Sequence, residues 1–503
     1  MPITHRESRT WVLCLLISLL SGCAGFLEQE PGNQTSIEEQ LSDYAGFQAA
    51  LNGTYSSLEA LMRSEAFVVY ADLQSGNLSF TPSQLGSRRG QVTVPTAVEN
   101  VYGFQDLAFD SDLSSFYGNA YTVIAEANYL IARSDSIPDA TAPEIDMLQA
   151  EALAIRSLAH FLLLQLYGQH YGFTPDASHP GIAYVAAPIP IGGPYPARAS
   201  VGGGPYPARA SVGEVYAALI DDLEEALSLS RAEPTLPGPG YTYFTPLAMR
   251  ALLARVQLYA ERWADAAATA TTVIEEGGLS LMSGEDYAAQ WRQPLSPVSE
   301  IILELSPPVD GEGNLGGSVS AFFDYTSTNE YGDYVASGDL IAAFTAGDVR
   351  LDSMFEVQEI LTLDEQGEFP RPYFFTEKLQ GPAGIPVLRL SEMYLIRAEA
   401  LARSGDLVAD LADLNALRER AGLAPVDASV DLLAEILLER RREFCFEGQY
   451  LYDLARYQRD LVRGQGCIAQ VCDLSYPSPF LILPIPQRNL DLNGNLEQNE
   501  GYN

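Results

Sequence analysis

Residues 388–456 read LRLSEMYLIRAEALARSGDLVADLADLNALRERAGLAPVDASVDLLAEILLERRREFCFEGQYLYDLAR, and their patterning predicts three consecutive helices. The first covers roughly Leu390 to Arg403 and stops at Ser404-Gly405-Asp406. The second runs from about Leu407 to Arg420 and ends at Gly422, a residue type suited to the left-handed C-cap, with Pro425 beyond it. Ser429 is the expected cap of the third, Val430 to about Glu447, with Asp431 in its first turn. The first helix is apolar on nearly every side (Leu390, Met393, Leu395, Ile396, Ala398, Leu401), so it needs neighbours on more than one face.

Those neighbours can be sought upstream. Residues 246–278 hold a helix, a turn near Glu261-Arg262-Trp263 and a second helix ending at Gly277. Ala254 lies seven residues before Glu261, as Ala398 lies seven before Gly405, and small residues there let paired helices approach closely. This resembles the tetratricopeptide repeat, with Ala266 in the position of its post-turn alanine and Asp410 departing from it. Helical patterning also marks Phe47–Leu61, Asn119–Ala132 and Ile145–Tyr167. Residues 192–202 and 203–213 are identical copies of GGPYPARASVG. Only the second copy leads into a helix, through the capping box Ser211-Val212-Gly213-Glu214, so the first is expected to loop out.

The 503-residue chain is 47% hydrophobic and 19% charged, a globular composition that excludes bulk disorder. Its formal charge is −37, and Lys378 is its single lysine. A nucleic-acid partner is disfavoured, because phosphate binding needs a basic face. The acidic, lysine-poor surface fits salty surroundings, and high genomic GC content would favour arginine equally well.

Residues 1–22 read as a signal peptide: a basic start, then an apolar run at Trp11–Leu20 too short to span a bilayer. Leu20-Ser21-Gly22-Cys23 resembles a bacterial lipobox, which implies cleavage before Cys23, acylation of that cysteine (palmitate included) and a tether over residues 23–36. Cleavage removes Arg6, Arg9 and Glu7, a net +1, and takes −37 to −38. Cys445 is expected to be a buried hydrophobe, and Cys467 with Cys472 a local disulfide. No histidine lies near that pair, and no zincin, phosphate-loop or dinucleotide motif is present.

Together SGCAGFLEQEP, AEALAIRSLAHFLLLQLYG, VGEVYAALIDDLEEAL, VLRLSEMYLIRAEALA with LNALRERAG, LLERRREFCFEGQYLYDLAR and the tail LPIPQRNLDLNGNLEQNEGY resemble the SusD/RagB family of outer-membrane nutrient-binding lipoproteins. The resemblance implies a mainly α fold: a right-handed superhelix of about four tetratricopeptide-like helix pairs, with long loop insertions and a few short strands. Residues 37–503 would form one such domain, with insertions at about 72–111 and 279–387 carrying the ligand face. It implies a SusC-like TonB-dependent β-barrel as partner, an oligosaccharide or sometimes a peptide as ligand, a lipid anchor facing the cell exterior, and no catalytic residues.

Sugar sites use flat aromatic faces with Asn, Asp and Arg donors and acceptors. With only Trp263 and Trp291 in the mature chain, contact should fall mainly to tyrosines. The candidates are Asn77, Tyr102 and Phe104 in the first insertion and Trp291, Tyr325, Tyr331 and Tyr334 in the second. Glu439, Glu443, Glu447 and Asp453 could be offered as a glycosidase pair, but neighbouring arginines suggest ion pairs within the helix instead. No cofactor or metal is expected. Asp491, Asn493 and Asn495 begin like a calcium loop but lack its glycine and final glutamate.

Overall fold

A computed structural model describes residues 37–188, 207–285, 287–291, 299–306, 317–381, 383–405 and 409–502. The signal peptide, Cys23, the tether and the first copy of the tandem repeat lie outside these residues.

Ten helices organise the described chain: α1 (Tyr44–Met62), α2 (Ser114–Arg133), α3 (Ala142–Tyr167), α4 (Val212–Leu229), α5 (Pro246–Tyr259), α6 (Trp263–Glu276), α7 (Leu390–Ser404), α8 (Ala409–Arg420), α9 (Leu432–Phe444) and α10 (Tyr450–Arg456). They pack largely in chain order: α1 on α2, α2 on α3, α3 on α4, α4 on α5, α5 on α6, then α6 on α7 and α7 on α8 and α9. The mainly α architecture matches the sequence reading, and the 246–278 unit does stack on the 390–404 helix. Ala254, Ala266 and Ala398 are fully buried, which permits the close approach their spacing suggested. α3 is apolar and long enough to cross a membrane, yet neighbours bury 94% of its apolar window, which makes it the core helix of the fold.

Local chemistry sets the helix ends. Ser211 Oγ accepts from Glu214 N at 3.2 Å, and Glu214 Oε2 accepts from Ser211 N at 2.8 Å. Such a cap contributes about 1 kcal/mol. Gly405 and Gly422 adopt φ of 87° and 75°, the left-handed stops their positions predicted. The third helix differs from expectation at both ends. Asp431, not Ser429, caps it by accepting from Ala434 N at 3.2 Å, while Ser429 is held in a turn by Asp427. It closes at Phe444, because Phe446 and Gly448 take positive φ and turn the chain into α10.

Most of the strands lie in the 279–387 insertion. β2 (Ile301–Leu305) pairs with β8 (Ile385–Arg389), which runs directly into α7. A four-stranded antiparallel sheet has the order β1 (Leu78–Phe80), β5 (Tyr334–Ala336), β7 (Gly367–Thr376), β6 (Phe355–Asp364), and a small hairpin joins β3 (Tyr325–Ser327) to β4 (Glu330–Tyr331). β1 belongs to the first insertion and β5 to the second, so the sheet joins the two. One cluster of buried apolar residues extends from Phe47 through Leu252 and Phe323 to Ile485.

Glu439 keeps a pair within α9, with Arg442, but the main partners of Glu439, Glu443 and Glu447 come from across the fold, which corrects the expectation that pairs within the helix account for them. Arg350, Lys378, Arg389, Arg420 and Arg442 meet Asp348, Glu300, Glu439, Glu443 and Glu447, an equal number of opposite charges, all but inaccessible to water. Lys378 Nζ donates to Glu447 Oε1 at 2.7 Å and to the Glu443 carbonyl at 2.7 Å. Burial alone would lower its pKa, but Glu447 holds it above the ordinary lysine value. Among the four residues weighed as catalytic carboxylates, two keep an i,i+3 pair of the expected kind, Glu439 with Arg442 (3.5 Å) and Asp453 with Arg456 (2.7 Å), and the latter joins a buried set with Arg440 and Glu399.

Cys445 is free and buried, and Cys467 is bonded to Cys472 with 6.0 Å between their Cα atoms. The bond closes a loop of only a few residues, so reducing it is expected to cost no more than about 2 kcal/mol. Denaturation with and without reductant measures this.

Candidate functional site

A cleft of about 350 Å³ opens where the two insertions meet. Ser83, Gln84, Arg89 and Gly90 line it from the first, Thr328, Asn329 and Tyr331 from the second, and Glu359, Leu361 and Glu368 from the β6–β7 hairpin. Cross-links hold the walls together. Gln84 Nε2 donates to the Tyr331 carbonyl at 2.7 Å, Tyr331 Oη donates to the Pro82 carbonyl at 3.0 Å, and Arg89 Nη2 donates to Asn329 Oδ1 at 3.0 Å. Gly90 has a φ of 82° and lies against Leu363, where an added Cβ would sit 3.3 Å from that side chain; its carbonyl accepts from Leu363 N at 2.7 Å.

One wall of the cleft is the outer edge of the sheet. Leu363 N points away from β7 to reach Gly90, so alternation turns the N–H and C=O of Glu359 and Leu361 outward as well. Their partners across the ladder, Pro372 and Pro370, have no N–H to offer, which fits those positions. Tyr331 supplies the aromatic surface. Its ring lies nearly parallel to Tyr325, 6.4 Å between centroids and 9° between planes, and Phe375 backs Tyr325 at 5.1 Å. Burial raises the Tyr331 hydroxyl above the ordinary tyrosine pKa, so it stays a neutral donor. The site therefore combines a supported aromatic face with a guanidinium, amides, hydroxyls, carboxylates and backbone donors.

Of the residues chosen from sequence, Tyr331 lines this cleft and Tyr325 stands behind it. The others do not meet there. Asn77 is fully buried, donating to Asp72 Oδ1 at 2.6 Å and accepting from Arg441 Nε at 2.8 Å. Tyr334 is buried and donates to Glu65 Oε1 at 2.9 Å. Tyr102 is buried edge-on to Phe80, and Arg463 lies over both Tyr102 and Phe104, at 4.3 and 4.6 Å. Trp291 is buried beneath Lys378 and Arg389, at 4.9 and 5.1 Å. None of these five lines the cleft: Asn77, Tyr102, Trp291 and Tyr334 are buried, and Phe104 is half-buried beneath Arg463. Arg89, Gln84, Asn329, Glu359 and Glu368 were missed. The Arg88-Arg89-Gly90 turn inside the first insertion and Asn329 beside Tyr331 were the available signals.

Asp72 ties the base of the first insertion to the loop before α10, accepting from Asn77 Nδ2 and from Gly448 N at 2.9 Å. Burial raises its pKa to about 6, partly offset by those two donors. With the folded pKa above the unfolded one, the group's stability contribution is greatest at low pH and is lost as pH rises toward and through 6. Across that window the loss is on the order of 3 kcal/mol. An Asp72→Asn variant should lack this component, so wild type should lose ground to it between about pH 4 and pH 6 in melting experiments.

Two family models match the chain: one described as the SusD family over residues 375–502, the other as starch-binding, associating with the outer membrane, over residues 25–258. The chain belongs to the SusD/RagB family. It is 26% identical to SusD-like protein P2 of Formosa agariphila, over 97% of this chain and 98% of that protein. It is 35% identical to the starch-binding protein SusD of Bacteroides thetaiotaomicron, over 24% of this chain and 21% of that one. A crystal structure of a SusD superfamily protein from Bacteroides vulgatus shares its fold with a TM-score of 0.75 at 24% identity, covering 92% of this chain and all of that one. A SusD/RagB family protein is a binding protein and not an enzyme, which agrees with the wholly structural pairing of Glu439, Glu443, Glu447 and Asp453.

Proposed function

We propose that this chain is a lipid-anchored receptor on the outer face of the outer membrane that binds oligosaccharide in the cleft between its two insertions. It would pass the ligand to a SusC-like TonB-dependent β-barrel. The observation that carries the reading is the cleft itself: a supported tyrosine face ringed by polar and charged side chains, the composition of a sugar site. Further support comes from the family model described as starch-binding and outer-membrane-associating, and from a relative named as a starch-binding protein. The lipobox ending at Cys23 supports the anchor, and the continuous apolar core supports one domain over residues 37–503. Isothermal titration against a panel of oligosaccharides and peptides is the test, with heat expected from at least one oligosaccharide and silence throughout contradicting it.

One observation favours a second reading, in which the ligand is an extended peptide. The outward backbone groups of Glu359 and Leu361 form a free strand edge, the feature used in β-strand addition. Heat from peptides alone would select that reading.

A further inference from the structure

We propose that Glu359 and Glu368 make the cleft selective for uncharged glycan chains and against polyanionic ones. This rests on the reading of the cleft as a glycan site. Three charged side chains line it, Arg89, Glu359 and Glu368, for a net charge of −1. Arg89 already spends one N–H on Asn329. Residues directly opposite in an antiparallel pair share a face, so Glu368, opposite Leu363, projects on the same side as Glu359 and Leu361. Among the described residues neither glutamate has an ion-pair partner, and both are exposed. Arg371, the guanidinium of the hairpin, stands opposite Ile360, which also lines the cleft, and its charge is taken up by Asp364. Next to the lining residues in sequence, exposed Arg88 and exposed Glu330 add one charge of each sign. No basic surplus is left to neutralise an incoming anion, and the chain as a whole stands at −37.

For a neutral chain this lining is favourable. Sugar hydroxyls can donate to the two carboxylates and accept from Arg89, Gln84, Asn329 and the outward N–H groups of β6. A polyuronate would instead bring one carboxylate per residue toward two glutamates. At contact distance in a water-filled cleft, each such like-charge approach weakens binding about fivefold.

The test titrates the purified chain with neutral oligosaccharides (maltoheptaose, laminarihexaose, cellohexaose, xylohexaose) and with anionic ones (hexagalacturonate, hexamannuronate). The expected result is binding of at least one neutral chain, with every anionic chain at least about tenfold weaker at low salt. Raising salt from about 20 to about 300 mM should strengthen any residual anionic binding, because it screens repulsion. In the Glu359→Gln/Glu368→Gln double variant the anionic-to-neutral affinity ratio should rise at least about fivefold. An anionic chain that outbinds the neutral ones, anionic binding that weakens with salt, or an unchanged ratio in the variant would each overturn the selectivity. Silence from both sets would overturn the glycan reading beneath it.

Discussion

An Arg389→Met variant is expected to lose about 3–5 kcal/mol of stability in urea denaturation, the largest effect anticipated for a single substitution in this chain. The Arg389 guanidinium contacts Glu300, reaches Glu443 Oε1 at 3.0 Å and donates to Glu447 at 3.0 and 2.8 Å. It lies between the rings of Trp291 and Phe444, each 5.1 Å away. Methionine keeps much of the volume but leaves three buried carboxylates short of a cation, and their desolvation is then uncompensated. The exposed pair Arg231–Asp146 is the contrast, since an Arg231→Ala change should cost less than about 1 kcal/mol. A comparably small loss for Arg389→Met would mean that the network is far better solvated than its burial implies.

The second large effect concerns the cleft. Arg89→Ala is expected to weaken oligosaccharide binding about tenfold or more, the scale of one hydrogen bond to a charged donor. Tyr331→Ala should do at least as much, because it removes the aromatic face and also opens the clamp to Pro82. Tyr331→Phe separates the two causes. It keeps the ring against Tyr325 and loses only the bond to the Pro82 carbonyl, so most affinity should remain. The two sites are near neighbours in one cleft, and their losses should not simply add. Melting temperatures of all three variants check that the cleft, and not the fold, has changed.

The helices were legible because their apolar spacing and caps are local. The α7 stretch even announced, through its all-round apolarity, that it would be enclosed. The site was legible only in outline. Both insertions were named as the ligand face, but Tyr331 and Tyr334 look alike in sequence and end on opposite sides of a wall. Their fates depend on which strand Tyr334 joins, and that partner is Phe80, far away in the chain. Asn77 looked like a surface amide because Asp72 and Arg441, which satisfy it, are not both nearby in sequence. The same holds for α9 and the turn that follows it. Glu439, Glu443 and Glu447 have the spacing of surface ion pairs, yet Arg350, Lys378 and Arg389 arrive from the second insertion and β8. Local pattern identifies an element; long-range pairing decides which face is wet.

Hydrogen–deuterium exchange with and without a binding oligosaccharide tests the placement of the site most directly. The expected result is ligand-dependent protection at residues 83–91, 328–331 and 359–361, with the helical stack unchanged. A separate, mainly apolar cleft of about 230 Å³ lies beside Tyr117, Tyr121 and Leu492. Protection there, with none at the junction of the two insertions, would contradict the assignment.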